Sequence, residues 1–253
     1  MSALPHPASA PRPREGLFDR LTFPERLTGR VASPGPDPRI HGYSVEQDLV
    51  WNIDFTALCF LSLSGELPSP GERAALSAAL TLLAPLHVGE APAHAAVLAR
   101  IAGAPATVIP GVAALALGEL SAAEQAELGA LLRFLAGEAM APPLSALLPE
   151  PTAEDEQSYA RLRAASAAWL GEPLSLPAGV VLGRVACGYA LLARLGLGDP
   201  YRLVTLSTLA RLPGVLAEAL CVRPGGVSAY PARLPAYRYV EDGPLASPPT
   251  EQP

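Results

Sequence analysis

Few residues in this chain have the types and spacing to do chemistry. His87 stands in Leu86-His87-Val88-Gly89-Glu90-Ala91-Pro92, and His94 lies just beyond that proline. Pro92 marks a helix start, so His87 sits ahead of a helix N-terminus, where backbone N–H groups and the helix dipole attract a carboxylate. An imidazole placed there can bind a carboxylate or polarise a carbonyl; taken alone it is equally a half-exposed loop histidine. Arg211 lies in the apolar run Leu206 to Leu216. A guanidinium in that setting needs an anionic partner or a path to water. A bound carboxylate meets that need, and so does an ion pair with Glu218 two helical turns on. Arg184 can reach a carboxylate or simply be solvated, and for Arg233 and Arg238 surface exposure is the default. Glu66 and Glu90 are the nearest acidic groups able to act as a base, although Glu66 reads more simply as part of a turn. Cys59, Cys187 and Cys221 form no CxxC pair, and Cys187 has no nearby histidine to activate it. His87 and His94 lack a third ligand close in sequence for a metal. The Ala/Gly-rich stretch Gly111 to Gly118 lacks the GxxxxGK[ST] phosphate loop, and it permits close helix packing instead.

The elements that must position these residues are helices. Half of the 253 residues are hydrophobic while only 6% are aromatic, and the Ala/Leu bias favours helix over strand. Helix punctuation recurs along the chain. Ser44-x-x-Gln47 and Ser69-Pro70-Gly71-Glu72 read as capping boxes, and Ser121-x-x-Glu124 and Thr152-x-x-Asp155 read as helix starts. Asp54 caps a helix over Phe55 to Ser64 that Gly65 ends, and Asp199-Pro200 opens one that must kink or stop at Pro213. Strand alternation is absent. The expected fold is all-α, many short helices with a reduced small domain, over residues 16–244. A break is placed near 141–152, where Pro142, Pro143, Pro149 and Pro151 cluster as a linker or a stiff connection. Residues 1–15 and 245–253 read as disordered Pro-rich tails. The net charge of −6 with no basic run argues against nucleic acid as a partner. No uncharged apolar run approaches the about 18 residues of a membrane span. The N-terminus lacks a signal-peptide core, and scattered cysteines suit a reducing cytoplasm.

Three segments, in order, resemble the citrate synthase family and its short relatives, the citryl-CoA lyases. The first is Gly42-Tyr43, the apolar helix to Leu63, and Gly65-Glu66-Leu67-Pro68. The second is Leu86 to Pro92 with His94 to Arg100 and Gly103-Ala104-Pro105. The third is Leu191 to Leu197, Leu209-Ala210-Arg211-Leu212-Pro213-Gly214, and Pro235-Ala236-Tyr237-Arg238-Tyr239 before Gly243-Pro244.

The resemblance implies a Claisen-type condensation or its reverse, oxaloacetate plus acetyl-CoA to citrate, with a coenzyme A thioester as substrate and no resident cofactor or metal. It makes His87 the histidine that polarises the keto-acid carbonyl, and Arg211 and Arg233 the arginines on substrate carboxylates. It also implies a homodimer, or a heterodimer with a citrate-synthase homologue. The α-proton of an acyl thioester is so weakly acidic that a base and an enolate stabiliser must act together. Here the position of the family's catalytic Asp is Val185, and no histidine follows His94 to act as enolate donor. Two functions are therefore expected: a citrate-synthase-like protein binding an acyl-CoA or a di/tricarboxylate, or a catalytically reduced partner or regulatory subunit of a complete homologue.

Overall fold

The computed structural model describes residues 28–174 and 179–225. The tails assigned to 1–15 and 245–253 lie outside these residues, as do Arg233, Arg238 and the Pro235–Tyr239 signature. The chain packs as two compact units, Met1–Ile53 and Asp54–Pro253.

In the first unit, three two-residue strands, β1 (Ala32–Ser33), β2 (Arg39–Ile40) and β3 (Tyr43–Ser44), form an antiparallel sheet in that order. Strands this short leave no alternation to read in a sequence. Ile40 pairs with Tyr43 around a two-residue turn, His41-Gly42, in which both residues have positive φ (48° and 87°). That is the type I′ geometry matching the twist of a hairpin. Arg39 bonds Asp37 and the Gly42 carbonyl across this turn. Ser44 then caps a π-helical turn, Val45–Leu49, its hydroxyl accepting from the Gln47 N–H. The reciprocal bond differs from expectation: the Ser44 N–H donates to Asp48, not Gln47. The wider π turn moves the reaching side chain one position on. A single turn, α1 (Val50–Asn52), closes the unit.

The second unit holds α2 (Phe55–Ser64), α3 (Pro70–Leu83), α4 (Ala91–Ile101), α5 (Val108–Leu135), α6 (Ala153–Leu170), α7 (Arg184–Arg194) and α8 (Pro200–Cys221). The caps are where the residue types place them. Asp54 accepts from the Ala57 N–H and Gly65 ends α2 at φ 85°. Ser69 with Glu72, and Thr152 with Asp155, form complete capping boxes. Asp199 caps α8 with Pro200 at its first position. Within 141–152 the chain makes a 3₁₀ turn (Leu144–Ala146) with Ala146 buried, and Leu147 pairs with Leu182.

Two expected boundaries move. Ser121-x-x-Glu124 starts no helix; it lies in the middle of α5, because the apolar run from Val108 contains no proline after Pro110 and is already helical. Pro213 does not stop α8, which runs on to Cys221. It sits on the exposed side with Leu209 and Gly214, so the Leu209 carbonyl it leaves without an i+4 partner can be hydrated.

Two apolar clusters fill the unit. The larger gathers α3, α6, α7 and the adjoining halves of α5 and α8; the smaller joins α4 to the other halves of α5 and α8. Helix α7 is central, buried without interruption from Ala186 to Leu192, as expected of a helix apolar all round. Helix α8 is 22 residues long and its most apolar 18-residue stretch has a mean hydropathy of 1.4, the length and composition of a membrane span, yet its apolar side chains enter both clusters and it carries a buried arginine.

Close approach occurs where side chains are absent. A Cβ at Gly188 would meet Leu83 at 2.7 Å and the Ala79 carbonyl at 3.3 Å, which sets how deeply α7 seats on α3. In contrast, Gly111 and Gly118, expected to permit close packing, have open space beside them. Gly188→Ala is expected to destabilise by about 1–3 kcal/mol through overpacking. Gly118→Ala is expected to stabilise by about 0.5–1 kcal/mol through helix propensity. Urea midpoints of the two variants check the opposite signs.

Candidate functional site

The C-terminus of α3 and the loop after it, residues 82–90, gather the chemically notable groups. The last carbonyls of a helix have no partner of their own and carry its negative dipole end. Two arginines meet them here. Arg184, first residue of α7, bonds the Leu82 carbonyl and, at 3.3 Å, that of Pro85. Arg211, from mid-α8, donates Nε–H to the Leu83 carbonyl at 3.1 Å.

The rest of the Arg211 guanidinium faces α5. Nη1 and Nη2 bind Oε2 and Oε1 of Glu124 at 2.7 and 2.9 Å. This is a fork-to-fork pair, the strongest geometry open to an arginine and a carboxylate. The Arg211 side chain is 1% exposed and that of Glu124 22%. The partner is thus Glu124 and not Glu218: the helix neighbour lies on an exposed face, while α5 carries a carboxylate to the buried one. The Tyr189 hydroxyl lies 3.5 Å from Glu124 Oε2 and donates to the Ser121 carbonyl at 3.4 Å. Burial raises the Tyr189 phenol, so it stays a donor. Ser121 is fully buried and its hydroxyl finds no partner among the described residues.

His87 is exposed on the same loop. Its Nδ1 accepts from the Gly89 N–H at 3.0 Å, and the His87 backbone N–H donates to Glu90 Oε1 at 2.8 Å. An Nδ1 that accepts leaves the neutral ring's proton on Nε2. Glu90 ties the loop at the entry to α4. Glu66 lies in the turn after α2, its N–H bonded to Ser64. His87 and Arg211 are therefore joined through the backbone of one loop, Leu83 lying four residues before His87. No hydrogen bond or ion pair joins their side chains among the described residues. Arg233 is outside those residues. Val185 packs half-buried against the larger core. No group of three or more metal-ligating side chains occurs among the described residues. The residue that sequence reasoning missed is Glu124; its spacing from Ser121 suggested a cap, and nothing local tied it to an arginine 87 positions away.

No protein-family model matches this chain, and no curated protein matches it in sequence. Solved structures do. Citryl-CoA lyase from Hydrogenobacter thermophilus superposes with a TM-score of 0.61 at 17% identity, covering 88% of this chain and 97% of that one. ATP citrate lyase from Methanothrix soehngenii, in complex with citrate and coenzyme A, gives 0.51 at 13% identity. It is covered over 47% of its length by 96% of this chain. The chain thus has a helical citrate-synthase-like fold, shared with both lyases.

Removing one partner of a buried pair leaves an uncompensated charge, at a cost of about 3–5 kcal/mol. Glu124→Ala is expected to cost that amount. Arg211→Ala is expected to cost less, because the partly exposed carboxylate it leaves can be hydrated; denaturant melts of both variants and of the double variant give the coupling energy. Thiol labelling supplies a second check. Cys59 and Cys187 are buried and Cys221 is exposed, and burial pushes the Cys187 thiol up to about 12, which suppresses its thiolate. One thiol is expected to react quickly at pH 8, the other two only on unfolding.

Proposed function

We propose that this chain is a citrate-synthase-like subunit without C–C bond chemistry of its own, acting as a structural or regulatory partner of a complete homologue. The observation that carries this reading is the Arg211–Glu124 pair. By resemblance, Arg211 is an arginine that grips a substrate carboxylate. Here all three of its guanidinium nitrogens are engaged by the chain itself, two by Glu124 and one by Leu83. A di- or tricarboxylate would have to displace an internal carboxylate already held in the preferred geometry.

The missing groups point the same way. A general base contributes about 10²–10⁴-fold to such a reaction, and Val185 offers none. A donor to the forming enolate contributes on the order of 10²–10³ more, and no histidine follows His94 to supply it. One observation favours the other reading, a protein that binds a carboxylate or CoA thioester and performs the chemistry. The His87 imidazole is exposed just ahead of the α4 N-terminus, with its Nε2 free of the loop's own hydrogen bonds.

Release of CoA thiol from acetyl-CoA and oxaloacetate by the purified chain separates the two. The expected outcome is no turnover above background; robust turnover by the chain alone would overturn the proposal. Co-expression with a full-length citrate-synthase homologue is expected to give a stable complex, weakened when residues 221–253 are deleted.

A further inference from the structure

A cleft of ≈ 500 Å³ lies between α6, the start of α7 and the end of α3, with neither Arg211 nor Glu124 in its lining. Its volume falls within the about 300–1,000 Å³ of small-molecule sites. Leu148, Leu162, Ala165 and Leu182 give it an apolar lining. The charges on it are unequal: the Arg161 and Arg184 guanidinium groups against the single carboxylate of Asp155. That carboxylate is already engaged by the Thr152 N–H and hydroxyl in the α6 cap. Arg161 is exposed and forms no ion pair among the described residues.

A second, independent feature sits in the same wall. Tyr159 is 8% exposed and its hydroxyl has no hydrogen-bond partner among the described residues. A buried polar group left without a partner is unusual and destabilising. Burial pushes the Tyr159 phenol and the neighbouring Cys187 thiol up to about 12, so neither adds negative charge to the wall at neutral pH.

We infer that this cleft binds an apolar monocarboxylic acid, its hydrocarbon body against Leu148, Leu162 and Ala165 and its carboxylate on the Arg161 side. Apolar burial drives entry and the guanidinium selects the anion. The inference is independent of the reading of Arg211, because no residue of that pair lines the cleft.

Titration calorimetry on the full chain tests it with octanoate, 1-octanol, octylammonium and citrate. Octanoate is expected to bind saturably, one per chain, more tightly than octanol, with octylammonium weakest. Citrate lacks the apolar body and is expected not to compete. Arg161→Ala is expected to weaken octanoate about tenfold, a loss of one well-placed charged contact, and to leave octanol unchanged. Ala165→Phe, which fills the cleft, is expected to abolish both. Absence of octanoate binding, equal binding of octanoate and octylammonium, or unchanged binding in both variants with helical circular dichroism intact would overturn the inference.

Discussion

The second unit depends on one buried ion pair. Arg211 and Glu124 sit midway along α8 and α5, the two helices that run through both apolar clusters. Their pairing joins the two helices through side chains. The same guanidinium holds the last carbonyl of α3, so three helices meet at one side chain. A charge almost wholly withdrawn from water tolerates few alternatives: it must be paired, or the region must open. The apolar contacts around it are non-directional, while the bidentate pair is directional and joins one point on α5 to one point on α8.

The arginines also explain how α3 can end in the interior. Its Ser69 cap closes the N-terminus locally, with side chains three residues apart. Its C-terminus has no comparable local device; Arg184 and Arg211, from α7 and α8, supply the donors. The loop bearing His87 therefore begins from a fixed point, and Glu90 ties its far end. What these contacts hold in place is a loop, and the Arg211 guanidinium at its start is occupied from within.

Local chemistry was legible in the sequence and distant pairing was not. The Asp54, Ser69, Thr152 and Asp199 caps each rest on residues within three positions, and they stand where expected. The order of Gly-Glu-Leu-Pro, the His87 segment and the Arg211 segment named the fold that the two lyases share. That Arg211 needs an anion followed from its apolar surroundings. Which anion did not, because Glu124 is distant in sequence and its own neighbourhood imitates a helix start. The short strands and the π turn escaped for another reason: two residues make no pattern, and a π turn shares its residue types with an α start.

The same pair has a consequence for the order in which the chain is made. Glu124 leaves the ribosome 87 residues before Arg211, roughly 4–17 s earlier at about 5–20 residues per second. During that interval α3, α4 and α5 exist without the helix that packs against all three, and Glu124 is without its arginine. Until α8 emerges, water and molecular chaperones are the available company for the faces it will cover. Slowing synthesis between α5 and α8 therefore lengthens the time those faces stay uncovered, without altering a single residue.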